Sequence, residues 1–341
     1  MDLLKGFADN YKTISIVGMA KNSGKTTALN FFIEEAMDEG LTIGVTSTGR
    51  DGETTDLVTQ TEKPRVYLYT GTLVSLPTKL YEMADAGLEI LEMTNYRTPL
   101  GPILLCKVVE SGNVQIAGPA NTKDHKELCE KMLNLGAKLI LIDGAIDRKS
   151  IAAPETSDGV ILATGAVLSR SLKKVVEETA HIVGLYGLPE VAEKALRELI
   201  GASSPKSIVL IDEKEAELVA RALDLKTGLT ASRVLDDEIT EDTRFVYLPG
   251  ALTSGVIEDI YPDKFKQVVF LLKDPTKIFI QSQHWQQLRK KGFKVKVLEN
   301  IKILAITVNP TAPSGYAFGH EEFSAAMKGA LPDLPIIDVR S

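Results

Sequence analysis

The chain carries one segment whose residue types and spacing suit a defined chemistry, the run Gly-Lys-Thr-Thr at residues 24–27. In a phosphate-binding loop, the lysine of this run reaches the β- and γ-phosphates of a nucleotide, and the next threonine ligates Mg²⁺. Backbone amides of the loop and of the first helical turn also point at the phosphates, where the helix dipole favours negative charge. We therefore expect Lys25 to bind phosphate and Thr26 to ligate the metal of a Mg²⁺–nucleotide complex.

The residues on either side predict the strand and the helix that such a loop needs. Ile14–Val17 contains three β-branched apolar residues around Ser15 and is closed by Gly18, which is typical of a buried strand. Apolar residues then recur at helical spacing at Leu29, Phe32 and Ala36. A glycine-rich turn that binds nothing is the alternative, but the strand–loop–helix context favours a phosphate site.

The loop departs by one residue from the usual pattern, G-x-x-x-x-G-K followed by Ser or Thr. Met19 stands where the first glycine is expected, and Gly18 lies one position earlier. Lys21 is a second cation inside the loop that could contact phosphate. The residues expected to contact the nucleotide are Gly18, Lys21, Asn22, Ser23, Gly24, Lys25, Thr26, Thr27 and Gly144.

A strand-end carboxylate is predicted further along the chain. The apolar run Leu139–Ile142 precedes Asp143 and Gly144. A carboxylate at the end of a buried strand can be rigid and still reach the Mg²⁺ that Thr26 holds. Gly144 would let the backbone approach the phosphates closely. A helix cap is the alternative for Asp143, and the upstream loop favours a metal-binding, catalytic role.

A polar loop, Ser47–Asp56, follows the segment Leu41–Thr46, which is predicted to be a buried strand. Ligands of open α/β sheets bind at the carboxyl ends of strands, so we expect Asp51 to act in catalysis and to ligate the metal. Further candidates for metal ligation, water positioning or sensing of the γ-phosphate are Arg50, Glu53 and Asp56. The alternative is a solvated polar turn.

The segment Asn309–His320 is rich in turn residues and follows an apolar run. It carries Tyr316 and Phe318 among small neighbours. These two aromatic residues could bind a ligand or a partner, or they could pack onto their own domain. The sequence leaves both interpretations open.

Alternation of apolar runs and helical patterns predicts an α/β fold with a mostly parallel, doubly wound sheet. A chain of 341 residues is longer than one core usually supports, so we expect two domains. The first, over residues 1–190, is the P-loop nucleotide-binding domain; the second, over residues 206–341, is a smaller α/β domain for a partner or ligand. Local patterns also predict helices over 80–91 and 213–223 and a hairpin formed by 103–109 and 114–117.

Composition narrows the classes of partner. The net charge of -7 argues against nucleic acid, which requires a basic surface. No apolar run reaches the length of a membrane span, and the opening residues MDLLKGFADNYK lack the pattern of a signal peptide. Cys106 and Cys129 lack metal-ligand spacing, so reduced thiols are expected. Together these features predict a cytoplasmic protein that binds neither nucleic acid nor membrane.

The first half of the chain resembles the dethiobiotin synthetase class of P-loop proteins. Gly18–Thr26 has the Gly-to-Lys spacing of that loop, and Asp143-Gly144-Ala145 matches the family's acid-Gly-Ala at a strand end. Val160–Thr164 and the helix predicted after it resemble the next strand-helix unit. The resemblance implies an ATP- and Mg²⁺-dependent P-loop fold. It does not extend to the substrate, because the acid inside the synthetase loop is replaced and the second acid-rich loop differs.

The phrases SIVGMAKNSGKTTALN, TGTLV, LIDGAIDRKS and ILATGA resemble the P-loop subunit family of lysine 5,6-aminomutase reactivases, over nearly the whole chain. This resemblance implies an ATP-dependent protein that helps an inactivated adenosylcobalamin-dependent aminomutase to exchange its damaged cofactor. The implied partners are the aminomutase and a MutS-like ATPase subunit, and many P-loop proteins of this class form homodimers. The chain has no cobalamin-binding D-x-H-x-x-G pattern, which fits a helper protein.

These patterns leave three functions open: a nucleotide-driven reactivase or regulator, an ATP-dependent ligase or kinase of a small metabolite, and a nucleotide-binding module that does not hydrolyse. The first needs few catalytic side chains, because phosphoryl transfer depends mainly on positioning and charge neutralisation. The choice between ATP and GTP also stays open, since no base-reading motif is recognisable.

Overall fold

The structure is a computed structural model that describes residues 3–48, 66–119, 121–144, 157–203, 207–223 and 231–339. Its contacts separate the chain into two compact units, which are described one at a time. The first unit comprises Met1–Thr179 and Lys302–Ser341, and the second comprises Ala180–Ile301. The chain therefore leaves the first unit and later returns to it.

The secondary structure alternates between strands and helices. The strands are β1 (Thr13–Gly18), β2 (Ile43–Ser47), β3 (Val66–Leu68), β4 (Leu73–Pro77), β5 (Gly87–Thr98), β6 (Gly101–Glu110), β7 (Gly112–Val114), β8 (Leu139–Asp143), β9 (Gly159–Gly165), β10 (Ile208–Lys214), β11 (Glu217–Leu223), β12 (Thr243–Leu248), β13 (Leu252–Thr253), β14 (Val269–Leu272), β15 (Ile278–Phe279), β16 (Lys294–Val297), β17 (Ile303–Asn309) and β18 (Ile336–Asp338). The α-helices are α1 (Leu3–Asn10), α2 (Lys25–Asp38), α3 (Thr78–Tyr81), α4 (Thr122–Asn134), α5 (Leu172–Tyr186), α6 (Lys194–Ala202), α7 (Ala231–Glu238), α8 (Ser254–Ile257), α9 (Lys264–Gln267), α10 (Ser282–Lys290) and α11 (His320–Ala330).

The first unit is built on a nine-stranded sheet with the order β18-β17-β9-β1-β8-β2-β4-β6-β5. Strands from β18 to β4 run parallel, while β6 and β5 form an antiparallel edge. Apolar side chains of α1 and α2 pack on one face of the sheet, and those of α4 pack on the other. The predicted α/β class, with a mostly parallel sheet, is confirmed.

The centre of this sheet brings several strand ends together. β1 lies between β8 and β9 and is parallel to both, with Ile16 opposite Asp143 and Gly18 opposite Ala163. On the other side of β8, Ser47 at the end of β2 is also opposite Asp143. These strands are apolar along most of their length because both of their faces are buried. Their carboxyl ends meet at one edge of the sheet, where open α/β sheets bind ligands.

The second unit contains a five-stranded sheet with the order β11-β10-β12-β14-β16. Its extent differs from the predicted domain over residues 206–341, because β17, α11 and β18 belong to the first unit. β17 pairs in parallel with β9 over Ile303–Asn309. Parallel partners can lie far apart along the chain, so a linear pattern does not reveal this pairing.

The predicted helix over 213–223 is wrong, since these residues form the antiparallel hairpin of β10 and β11. The hairpin turns at Glu215 and Ala216, whose φ angles are 50° and 66°. Glu, Lys and Ala residues here favour a helix, but Leu218 and Ala220 pack against the core of the unit at the two-residue spacing of a strand. Tertiary packing therefore overrides helix propensity.

Two further local predictions are wrong, the helix over 80–91 and the hairpin of 103–109 with 114–117, although 103–109 does form a strand within β6. The segment 80–91 is not one helix, because α3 ends at Tyr81 and β5 begins at Gly87. β6 pairs with β4 and β5 instead of forming a hairpin with 114–117, while β7 pairs with β3. Pairing on both sides satisfies the backbone groups of β6 along each of its edges.

In the parts of the chain that the structure describes, no helix combines the length and apolar character needed to cross a membrane. Cys106 and Cys129 are free thiols, and both are buried. Burial raises the pKa of each thiol to about 12. Both side chains therefore stay protonated at neutral pH and contribute to packing.

Candidate functional site

The loop between β1 and α2 lies at the centre of the sheet's carboxyl edge. The Met19 amide donates to the Ala163 carbonyl at 2.9 Å, which ties the start of the loop to β9. The Ser23 amide donates to the Ala20 carbonyl at 3.2 Å and closes a tight turn. Asn22 and Gly24 adopt left-handed backbone conformations, with φ of 64° and 96°. The predicted sequence of strand, loop and helix is present.

Gly24 sits in a space that no other residue would fit without a shift. A Cβ at this position would lie 2.8 Å from Asn309 Cβ. Gly24 also caps α2, and the Ala28 amide donates to the Gly24 carbonyl at 2.8 Å. In an α-helix that begins in this way, the amides of Lys25, Thr26 and Thr27 have no acceptor within the helix. Unsatisfied amides at the positive end of a helix, here one of 14 residues, are suited to an anion.

Lys25 and Asp143 are in direct contact. Lys25 Nζ lies 2.6 Å from Asp143 Oδ1, and the side chains are 19% and 23% exposed. Lys25 is the first residue of α2, and Asp143 is the last residue of β8, the neighbour of β1. The structure thus brings together the lysine and the carboxylate that the sequence selected from two distant segments.

Asp143 is held by backbone bonds on both sides. The Thr48 amide donates to the Asp143 carbonyl at 3.2 Å, and the Gly144 amide donates to the Ile16 carbonyl at 3.1 Å. The Gly144 amide is therefore engaged by β1, so a contribution of Gly144 to phosphate binding would come from its small size. Asp51 and the other candidates of the Ser47–Asp56 loop, Arg50, Glu53 and Asp56, lie outside the described residues.

The remaining predicted contacts occupy the loop and the first turn of α2. Lys21 and Asn22 are exposed, while Thr26 and Thr27 are partly buried. Ser23 is buried, and its hydroxyl has no hydrogen-bond partner in the described part of the chain. Gly18 ends β1 directly before the loop. The structure places all of these residues on one short segment next to the Lys25–Asp143 pair.

A cavity of about 430 Å³ lies beside the loop, and its walls come from the first unit. Two of its walls are formed by the segments that come directly after β9 and β17. The lining residues are Asn22, Ala166, Val167, Ser169, Arg170, Ala312, Pro313, Ser314 and Tyr316. The Tyr316 hydroxyl donates to the Arg170 carbonyl at 2.9 Å, and the Arg170 guanidinium lies 5.9 Å from the centre of the Tyr316 ring. Because Asn22 is part of the loop, the cavity and the predicted phosphate site are neighbours.

Sequence reasoning missed Asn309 as a site residue. It ends β17, is buried, and occupies the space that a Cβ at Gly24 would enter. Its carbonyl accepts from the Ala166 amide at 2.9 Å, and its side-chain oxygen accepts from the Thr311 amide at 3.2 Å. An asparagine at the end of an apolar run was a visible signal, but its place beside the loop depends on the pairing of β17 with β9.

The two aromatic residues of the Asn309–His320 segment have different surroundings. Phe318 is buried, and its ring centre lies 5.3 Å from that of Phe323 in α11. Tyr316 is partly exposed and lines the cavity. Phe318 thus packs onto its own unit, whereas Tyr316 is available to a ligand.

No protein-family model, curated protein or solved structure matches this chain. The functional assignment therefore depends on the geometry of the site and on the sequence patterns.

Proposed function

We propose that this protein binds ATP with Mg²⁺ at the loop between β1 and α2 and hydrolyses it, as a nucleotide-driven partner of another enzyme. The observation that supports this best is the contact between Lys25 and Asp143 at the start of α2. A cation for phosphate, a carboxylate for a metal and three helix-terminal amides meet there. This is the donor set that a Mg²⁺–nucleotide complex requires.

The residues have distinct roles in this proposal. The amides of Lys25, Thr26 and Thr27 bind phosphate oxygens, and the Lys25 ammonium neutralises charge on the β- and γ-phosphates. The Thr26 hydroxyl and the Asp143 carboxylate would be the protein's oxygen ligands for Mg²⁺. When bound, Mg²⁺ stabilises negative charge on the transferred phosphoryl group. Gly24 has no side chain and would let the phosphates approach the backbone closely.

The cavity beside the loop supports a nucleoside as part of the ligand. Its volume of about 430 Å³ is in the range of small-molecule sites. Tyr316 and Arg170 offer an aromatic ring and a guanidinium plane, both of which stack on bases. Asn22 connects this cavity to the phosphate loop, so one molecule with a base and a phosphate chain would contact both.

The biological role is proposed from the sequence resemblance to aminomutase reactivases. In that role, ATP turnover would drive exchange of the damaged cofactor of an adenosylcobalamin-dependent aminomutase. The second unit, which carries none of the residues assigned to the nucleotide, would meet the protein partner. An ATPase rate that rises when aminomutase is added supports this role. ADP release in step with consumption of one small carboxylate or amine would instead indicate a ligase or kinase.

Lys25→Ala tests nucleotide binding directly. We expect it to weaken binding of Mg²⁺–ATP by about 100-fold, because charge-assisted contacts to the phosphates are lost. The measurement is isothermal titration calorimetry with ATP and with GTP, which also establishes the preferred base. Lys5→Ala, which removes an exposed lysine from α1, is the matched control and should bind like the wild type. Equal affinity in Lys25→Ala and Lys5→Ala would contradict the proposed function.

A further inference from the structure

The Lys25–Asp143 contact poses a problem for nucleotide binding. The proposed function needs Lys25 at the phosphates and Asp143 at the metal, yet the two side chains are bonded to each other at 2.6 Å. We propose that Mg²⁺ and Lys25 exchange places on Asp143, and that this exchange makes nucleotide binding depend on the metal. The inference rests on the proposed function and adds the mechanism by which the site couples its two ligands.

The position of the pair makes the contact significant. Both side chains are about four-fifths buried, so water and salt screen their attraction less than in a surface ion pair. The backbone of Asp143 is fixed on both sides. Its carbonyl accepts from the Thr48 amide, and the next amide, that of Gly144, donates to the Ile16 carbonyl. Lys25 is fixed at the start of α2. Neither residue can move away from the loop without disturbing the sheet edge.

A nucleotide without metal would meet two obstacles at this position. Lys25 must weaken its contact with Asp143 to serve the phosphates, and the carboxylate left behind would repel the negative phosphate chain. Mg²⁺ removes both obstacles, because carboxylate oxygen is a preferred ligand and the dication replaces the ammonium as counter-ion. Lys25 is then released to the phosphates. Binding of each ligand therefore favours binding of the other, and the coupling is reciprocal.

The exchange predicts that each substitution tightens the binding of one ligand: loss of the Asp143 carboxylate favours metal-free ATP, and loss of the Lys25 ammonium favours the metal. Asp143→Asn should bind ATP in the absence of metal about tenfold more tightly than the wild type, because Lys25 is released and the repulsion is gone. Added Mg²⁺ should no longer improve ATP binding in this variant. Lys25→Ala should bind Mn²⁺ without nucleotide about tenfold more tightly, because Asp143 no longer has a competing cation. If the Lys25–Asp143 pair had only a structural role, Asp143→Asn would bind ATP more weakly and Lys25→Ala would bind Mn²⁺ more weakly than the wild type.

The experiment measures ATP affinity of the full chain by calorimetry, once in EDTA and once with Mg²⁺, for the wild type, Asp143→Asn and a control. The control is Asp158→Asn, which changes the net charge equally but acts at the amino end of β1, where Asp158 accepts from the Lys12 and Thr13 amides at 2.8 and 2.9 Å. Thermal unfolding followed by circular dichroism verifies that each variant folds. If Asp143→Asn does not fold, Mn²⁺ binding to Lys25→Ala, followed by electron paramagnetic resonance, decides the question.

The outcomes separate this inference from the proposed function. Tighter metal-free ATP binding by Asp143→Asn, or tighter Mn²⁺ binding by Lys25→Ala, supports the exchange. If the wild type binds Mg²⁺–ATP and neither variant gains affinity, the exchange is overturned while the nucleotide site stands. If the wild type binds ATP in neither condition, the proposed function fails and the exchange fails with it.

Discussion

At the scale of single residues, Gly24 shows how backbone conformation and packing act together at this site. Its φ of 96° lies in the left-handed region, which costs an L-residue about 1–2 kcal/mol. In addition, a Cβ would lie 2.8 Å from Asn309 Cβ. The glycine therefore serves two purposes, since it turns the chain into α2 and allows β17 to approach the loop.

Replacement of this glycine separates the two effects. We expect Gly24→Ala to lower the free energy of unfolding by about 2–3 kcal/mol, from backbone strain and from crowding against Asn309. Gly136→Ala is the matched control, because Gly136 has a similar φ of 106° with no atom within 4 Å of a new Cβ. It should cost about 1–2 kcal/mol from strain alone. Urea unfolding measures both values, and equal costs would show that contact with Asn309 is unimportant.

At the scale of elements, the carboxyl ends of β9 and β17 continue the site beyond the loop. The Ala166 amide bonds to the Asn309 carbonyl at 2.9 Å and joins the two strand ends. The Tyr316–Arg170 contact then joins the segments that follow them. The segment after β17 thus has two roles: Phe318 packs against Phe323 of α11, and Tyr316 forms part of the cavity wall.

Tyr316 provides a test of the nucleoside position. We expect Tyr316→Ala to weaken ATP binding by about tenfold, because aromatic stacking on a base contributes roughly 1–3 kcal/mol. Tyr316→Phe keeps the ring and should bind nearly as well. Tripolyphosphate, which has no base, should bind the wild type and Tyr316→Ala equally in competition assays. A parallel loss for tripolyphosphate would place the effect of Tyr316 on the phosphate loop instead.

At the scale of the whole molecule, the first unit is discontinuous along the chain. β17 and β18 extend its sheet beyond β9, so a fragment that stops at residue 190 would expose the apolar edge of β9. Such an unpaired edge is a template for aggregation. The second unit is inserted between Thr179 of α5 and Lys302. Both of these residues are bonded to β9: the Thr179 hydroxyl to that of Thr164, and the Lys302 carbonyl to the Val160 amide.

Truncation distinguishes this arrangement from the boundary that the sequence suggested. We expect the fragment 1–190 to aggregate or to lack a cooperative unfolding transition. A variant in which a flexible linker joins Thr179 to Lys302 should unfold cooperatively and retain ATP binding. Thr179 is bonded to Thr164 and Lys302 is bonded to Val160, so the separation of Thr164 and Val160 indicates the gap to be bridged. These two residues are about 13 Å apart along β9, a distance that a linker of about eight Gly and Ser residues spans. Thermal unfolding followed by circular dichroism measures cooperativity in both proteins, and calorimetry measures their ATP binding. Cooperative unfolding of the fragment 1–190 would contradict the expectation.

The sequence by itself determined the local features of this protein. The apolar runs specified β1, β8 and β9, and the run Gly-Lys-Thr-Thr began α2, because buried parallel strands and helix starts leave short-range patterns. It also selected Lys25 and Asp143 as residues that should meet. It failed at the hairpin of β10 and β11, where Glu, Lys and Ala favour a helix, and at β5, whose pairing with β6 outweighs its helical spacing.

Only the tertiary structure decided which distant segments complete the site. Asn309 lies beside the loop and Tyr316 lines the neighbouring cavity because β17 pairs with β9. This pairing depends on backbone bonds between strands separated by the entire second unit. No periodicity within a short window records such a partner. Local propensity therefore determined the loop between β1 and α2 and the carboxylate at the end of β8, while long-range hydrogen bonding and burial determined the cavity beside them.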